Sequence, residues 1–213
     1  MIYLYQTCLP RWIFLISILN LPISAYTKVL DVQINSRDTI LQGQSWGEAG
    51  AYELITGIVI FATDPANPAN ARIIDLHLAP KDNEGFVRSS ADLVVLKPID
   101  ASKSTMAFVE VSNRGGKFTP AYFLGASGRL TDPNDPMQFG DGLLMQRGIT
   151  MIWVGWQFDL PESDDLLNFV SPTAKYPEGA PIIGLVRSDW VVDEDTHELN
   201  LGHRTMQGYP VYE

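Results

Sequence analysis

The chain has 213 residues, with 15 Lys and Arg against 25 Asp and Glu, a net charge of −10 and a pI near 4.7. Such acidity argues against a nucleic-acid partner, which needs a basic face against phosphate. With 46% hydrophobic and 19% charged residues, the composition is that of a folding chain, long enough to bury a core without disulfide or metal staples. The single cysteine, Cys8, excludes an intrachain disulfide, a cysteine-based zinc site and an iron–sulfur cluster. Three histidines, His77, His197 and His203, leave little for a histidine-rich metal centre, so neither metal nor cofactor is expected.

Residues 1–25 hold one charge, Arg11, followed by the apolar run Trp12–Leu19, then Pro22 and the small residue Ala25. This layout predicts a secretory signal peptide and an exported protein, periplasmic or secreted. The apolar core is too short for a bilayer span, and extending it back to Ile2 would bury Arg11. Cleavage near Ala25 is expected and would leave no stable membrane span; an uncleaved anchor and a misplaced start codon are the alternatives. Cleavage also removes Cys8, which suits an oxidising compartment.

From Lys28 onward the pattern reads as strands and turns. Leu30, Val32 and Ile34 alternate with polar residues, predicting a half-buried strand. Gly43, Gly47 and Gly50 punctuate a loop before the β-type run Tyr52–Phe61. Asp64-Pro-Ala-Asn-Pro-Ala-Asn70 predicts consecutive turns, since one carboxylate and two amides fall short of a calcium loop. Strands are expected again at Arg72–Leu78 and Ala91–Leu96, closed by Pro98, so that 26–104 forms a β-rich section of about four antiparallel strands.

The remainder, 105–213, has another character. Met106–Val111 is a nearly continuous apolar run, the mark of a strand covered on both faces. A glycine loop follows, Ser112-Asn-Arg-Gly-Gly-Lys117, then the turn cluster Asp132–Pro136. Gly142–Gly148 predicts a short helix closed by a glycine, and Ile149–Val154 a second buried strand. Strand, glycine loop, helix and strand make a β-α-β unit, which implies parallel pairing and an α/β fold class. A further strand is expected at Ile182–Val192.

This run resembles the early part of an α/β-hydrolase domain. More narrowly, it resembles the bacterial alpha/beta-hydrolase domain-containing proteins, in which a long N-terminal β segment precedes the hydrolase core. The stretches that carry the resemblance are Phe61–Leu76, Glu110-Val-Ser-Asn-Arg-Gly-Gly-Lys117, Gly140-Asp-Gly-Leu-Leu-Met-Gln-Arg-Gly148 and Trp153-Val-Gly-Trp-Gln-Phe-Asp159, in the order the family has them. The resemblance implies the first β-α-β part of a hydrolase core, serine attack on a carboxylic ester or related acyl bond, and a small-molecule acyl substrate. It also implies that Asn113, Gly115 and Gly116 shape an oxyanion hole, although the family shows one glycine followed by Asn at this point. A plain tight turn after a strand is the rival reading of these residues.

The family's Gly-x-Ser-x-Gly elbow is missing from the chain, which ends at Tyr209-Pro-Val-Tyr-Glu213. The expectation is therefore an incomplete core, a truncated frame or fragment without a recognisable triad, inactive by itself; a non-catalytic β-rich binding or interaction module is the alternative. Gly125-Ala-Ser-Gly-Arg129 is a near miss, since Arg129 replaces the last glycine and no buried strand leads into Ser127. Ser127, Asp189 and His197 or His203 do keep the order serine, acid, histidine, which is a weak signal on its own. Asp193-Glu-Asp-Thr-His197 reads as a solvated acidic turn rather than a metal cluster. Lacking later strands, Val109, Val111, Ile149, Ile152 and Val154 are expected on a poorly covered sheet edge, which predicts self-association.

Overall fold

The computed structural model describes residues 27–161, 163–185 and 191–195. The signal-peptide segment, Asp189, His197, His203 and the C-terminal run to Glu213 lie outside the described residues. The architecture is mixed α/β and rich in strands. One six-stranded sheet is formed by β1 (Thr27–Thr39), β2 (Tyr52–Thr63), β3 (Val87–Pro98), β4 (Met106–Val111), β5 (Ile149–Val154) and the short β6 (Phe169–Val170). Two short helices, α1 (Thr119–Leu124) and α2 (Leu143–Gln146), lie in the connection between β4 and β5. Among the described residues no helix is long and apolar enough to cross a membrane.

The sheet order is β1-β2-β3-β5-β4, with β6 also paired to β3. The first three strands are antiparallel neighbours, β5 is antiparallel to β3, and β4 runs parallel to β5 in unbroken register from Met106 opposite Ile149 to Val111 opposite Val154. The β-α-β unit expected from the glycine punctuation is thus present. β5 inserts between β3 and β4, so the sheet continues without a gap across residues 104 and 105 and β4 becomes an edge.

Register builds the core in rows. Leu54, Leu96, Met151 and Phe108 stand side by side on one face, followed by Thr56, Val94, Trp153 and Glu110. Ile40, Trp46, Leu124, Phe139 and Met145 pack onto Tyr52, Leu96, Met151 and Trp153 from the loops and both helices. Tyr52 ties this layer together, its hydroxyl donating to the carbonyls of Met145 at 3.0 Å and Ile149 at 3.1 Å. The opposite face carries the rows Ile55, Val95, Ile152, Val109 and Gly57, Leu93, Val154, Val111. There the directly paired Glu53 and Lys97 are 2.8 Å apart, with Arg37 of β1 2.6 Å from the same carboxylate oxygen.

Four expectations are corrected. Arg72–Leu78 is not a strand: Asp75 takes a left-handed backbone conformation, Leu76–Leu78 turns into a 3₁₀ helix, and Ile74 is 87% exposed with no strand beside it. The alternation of Ile74, Leu76 and Leu78 mimics period two, but the turns of Asp64–Asn70 deliver the chain into further turns instead. The β-rich section consequently has three long strands rather than four. The described part of Ile182–Val192 forms no strand, and Leu185 and Val191 lie wholly in solvent.

β1 and β4 depart from their expected burial. β1 is an exposed edge, and bulges between Val29 and Asp31 and between Ile34 and Ser36 put Leu30 out of step with Val32 and Ile34. β4, read as covered on both faces, is exposed along most of its length, and among the described residues only β5 lies beside it.

Candidate functional site

The glycine loop leaves the carboxyl end of β4 and turns at once. Arg114 and Gly115 both have positive φ, 51° and 72°, and the Gly116 N–H donates back to the Asn113 carbonyl at 3.1 Å. This is a two-residue turn of the mirror-image type, in which glycine relieves the strain at one of two left-handed positions. A Cβ on Gly115 would lie 2.7 Å from Leu160 Cδ1 and 2.8 Å from the Leu167 nitrogen, so the residue also permits a close backbone approach. Gly116 is less constrained: its φ is ordinary, and an added Cβ would meet the movable Phe118 ring.

Three anchors hold the loop. Arg114 Nη1 donates to Asp159 Oδ2 at 2.8 Å and Nη2 to the Asp159 carbonyl at 2.9 Å, while the Arg114 amide donates to Gln157 Oε1. Leu167 N–H donates to the Gly115 carbonyl at 3.0 Å, and the Trp156 indole N–H donates to the Ser112 carbonyl. Below the loop, Glu110 on β4 accepts from the amides of Phe118 and Thr119, both at 2.8 Å, and from the Thr119 hydroxyl and Trp153 indole, both at 2.5 Å. A carboxylate at the start of α1 satisfies amides that the helix itself leaves unpaired.

Asn113, Gly115 and Gly116 therefore lie together, with Gly115 and Gly116 buried and Asn113 exposed. The Gly116 amide is spent within the turn. Among the described residues no hydrogen bond reaches the amides of Gly115 or Lys117. Two side-chain features adjoin them. Ser112 Oγ is fully buried and has no hydrogen-bond partner among the described residues. Lys117 is buried and donates to the Asp165 carbonyl at 3.0 Å. Burial pushes the Lys117 ammonium below its usual pKa, with nearby Asp165 drawing it back and Arg129 lowering it further.

Ser127 stands apart from this cluster. It is exposed on the loop after α1, with its amide donating to the Met137 carbonyl at 2.7 Å and no strand leading into it. Asp193 and Asp195 are exposed, and no cluster of metal-ligating side chains occurs among the described residues. In the doubled Pro-Ala-Asn segment Asp64 Oδ1 accepts from Ala66 N–H at 2.8 Å and Asn67 Oδ1 from Ala69 N–H at 2.9 Å, the self-bonded turns expected there.

Comparison with protein-family models, curated proteins and solved structures gives no match. The site is thus read from its own geometry. Sequence reasoning missed Glu110 and Lys117: one is a lone charge inside an apolar strand and the other directly follows the paired glycines, and both patterns were visible. Helix α1 was missed as well, though Pro120 near its start and Gly125 at its end, with φ of 60°, mark both boundaries.

Proposed function

We propose that this chain is the N-terminal portion of an exported serine hydrolase acting on carboxylic ester or related acyl bonds, with a partial α/β-hydrolase core and no triad of its own. The observation that carries this reading is the parallel pair β4 and β5, with a pinned glycine turn at the carboxyl end of edge strand β4. In open α/β sheets, ligands bind beyond the carboxyl ends of the strands where the strand order reverses. β5 lies inward of β4, so a following strand laid parallel on β4's free edge would reverse the order there. Its carboxyl end would come beside Asn113–Lys117, where the hydrolase fold carries its nucleophile on a strand-to-helix turn.

In that arrangement a histidine–acid pair in the following sequence takes the serine's proton as its oxygen attacks the acyl carbon. The carbonyl π pair moves onto oxygen as negative charge, and on collapse the ester C–O bond breaks and the alcohol leaves with the proton from that histidine. The amides of Gly115 and Lys117 would be donors for the charged oxygen, since the Gly116 amide is already bonded, and the Lys117 ammonium would add a positive field. Arg114 with Asp159 and Glu110 with Thr119 and Trp153 hold these donors in place before substrate arrives. The substrate is a small acyl compound, and no metal, cofactor or nucleic acid takes part.

The test is to capture the polypeptide from its natural source with an antibody against residues 40–154 and treat it with a fluorophosphonate. The expected result is a labelled serine in sequence following this chain, on a product whose N-terminus lies near Tyr26. A captured polypeptide that carries no labelled serine overturns the hydrolase reading and favours a β-rich binding module. Intact Met1 on the exported product overturns the cleavage.

A further inference from the structure

Asp92 breaks the pattern of its strand. It stands between the apolar Ala91 and Leu93 inside β3, where aspartate is a poor choice, and it makes no ion pair among the described residues. Its place on the sheet accounts for the exception. Leu93–Leu96 pair with β5, while Ser90 and Ala91 pair with β6, so Asp92 lies where one neighbour of β3 gives way to the next. There it holds two chain ends together. Gly155, just after β5, donates its N–H to the Asp92 carbonyl at 2.8 Å. The Asp92 N–H donates to the Asn168 carbonyl at 2.9 Å, and the Asn168 N–H donates to Asp92 Oδ2 at 2.8 Å. A Cβ on Gly155 would lie 2.2 Å from the Asn168 oxygen, so the two ends also touch.

The arms that grow from these two ends grip the glycine turn. Trp156 and Gln157 on the first arm hold the Ser112 carbonyl and the Arg114 amide, and Asp159 holds the Arg114 guanidinium. On the second arm Asp165 accepts from the Lys117 ammonium, and Leu167 donates to the Gly115 carbonyl. The peptide that carries the Gly115 N–H is therefore held between the arms, by Gln157 on one side and by Leu167 on the other. We propose that Asp92 is a positioning residue for the oxyanion donors: its carboxylate fixes the spacing of the two arms and so the direction of the Gly115 N–H. The chemistry of this role rests on the hydrolase reading, whereas the mechanical link does not. The two backbone bonds at Asp92 form with any non-proline residue in that place. Only the carboxylate adds the tie to Asn168, a charge-assisted bond stronger than an ordinary one. Asn168 directly follows Leu167, so the tie sits one residue from the contact that holds Gly115.

The test is hydrogen exchange and amide chemical shift, read by NMR on the purified 213-residue chain. Asp92→Val suits a strand but has no acceptor, whereas Asp92→Asn keeps an acceptor oxygen for Asn168. Asp92→Val is expected to speed exchange at the Leu167 amide and the Trp156 indole at least about tenfold, while Leu54 and Ile55 of β2 stay within about threefold. It should also shift the Gly115 and Lys117 amide resonances. Asp92→Asn should return all of these close to the unaltered chain. Gly155→Ala wedges the two ends apart without touching the carboxylate; it should reproduce the signature, and it carries the test if Asp92→Val does not fold. Equal acceleration in β2, no change at Leu167 and Trp156, an Asp92→Asn as disruptive as Asp92→Val, or a Gly155→Ala without effect on these protons would each overturn the proposal. The fluorophosphonate label decides the hydrolase reading separately. Without a labelled serine Asp92 still holds the turn but serves no oxyanion, and a failed exchange result leaves the label where it is.

Discussion

Glu110 and Trp153 stand opposite each other on parallel neighbours β4 and β5, and the indole N–H donates to the Glu110 carboxylate at 2.5 Å. The same carboxylate caps α1, so one side chain joins the edge strand, the inner strand and the loop between them. Glu110→Gln keeps the shape but turns an amide NH₂ toward N–H donors. We expect it to cost about 1–3 kcal/mol in urea unfolding. Hydrogen exchange at Phe118 and Thr119 should accelerate in this variant more than exchange in β2; equal acceleration in both would show that Glu110 does not cap α1.

Gly115 and Gly116 separate by geometry. Gly115→Ala combines a positive φ with a clash against the Leu167 backbone and should cost more than about 1 kcal/mol. Gly116→Ala meets the Phe118 ring and, at 3.3 Å, the Asn113 carbonyl oxygen, but carries no left-handed φ and no backbone atom under 3.0 Å, so its midpoint in urea should lie closer to that of the unaltered chain. The reverse order would contradict the turn described for 113–116.

The Glu53 cluster makes stability depend on pH. Burial by itself would raise this carboxyl, but hydrogen bonds from Lys97 and Arg37 outweigh it and hold it below the ordinary glutamate range. The unfolded chain therefore binds more protons as acid is added. The cluster's stabilisation is full above the ordinary glutamate pKa and is lost as pH falls through the lowered folded value. Lys97→Met should cost about 1 kcal/mol at neutral pH, a modest figure because Lys97 and Arg37 remain partly solvated. That cost should shrink at pH 3; a constant cost would place the effect of Lys97 in its packing instead.

Burial pushes the Tyr52 phenol up to about 12. The unfolded chain loses this proton first, so stability is full below the ordinary tyrosine pKa of 10.0 and lost as pH rises toward 12. Tyr52→Phe leaves the Met145 and Ile149 carbonyls without this donor and should cost about 1–2 kcal/mol at neutral pH. It should also flatten the alkaline loss. Parallel alkaline unfolding of both proteins would assign that loss to other groups.

Lys117 is a buried cation whose partner is a backbone carbonyl rather than a carboxylate. Its lowered pKa means that the folded state gains stability as pH rises from the folded value toward the ordinary lysine range. Lys117→Met should raise neutral-pH stability by about 0.5–2 kcal/mol, as is common where a destabilised group serves function. A loss of stability in chemical denaturation would show instead that Lys117 is a structural tie to Asp165.

Local pattern was enough to mark β2, β3, β4 and β5, because apolar runs bounded by Gly43–Gly50, Pro98 and Gly148 leave little else for those segments to be. The same punctuation carried the β-α-β unit and its parallel pair, since a connection with a helix in it brings the chain back in the same direction. At Arg72–Leu78 local pattern misled, because three alternating apolar residues carry no record of Asp75's left-handed backbone. The insertion of β5 between β3 and β4 was decided only in the tertiary structure. That choice rests on rows such as Leu54, Leu96, Met151 and Phe108, whose members come from four separate strands. The candidate site divides in the same way. The run Asn113–Lys117 announced a turn after a strand, but its hold on Asp159, Leu167 and Glu110 depends on partners brought together by folding. Side-chain period and turn chemistry are properties of neighbours in the chain, whereas burial and hydrogen-bond partners are properties of neighbours in space.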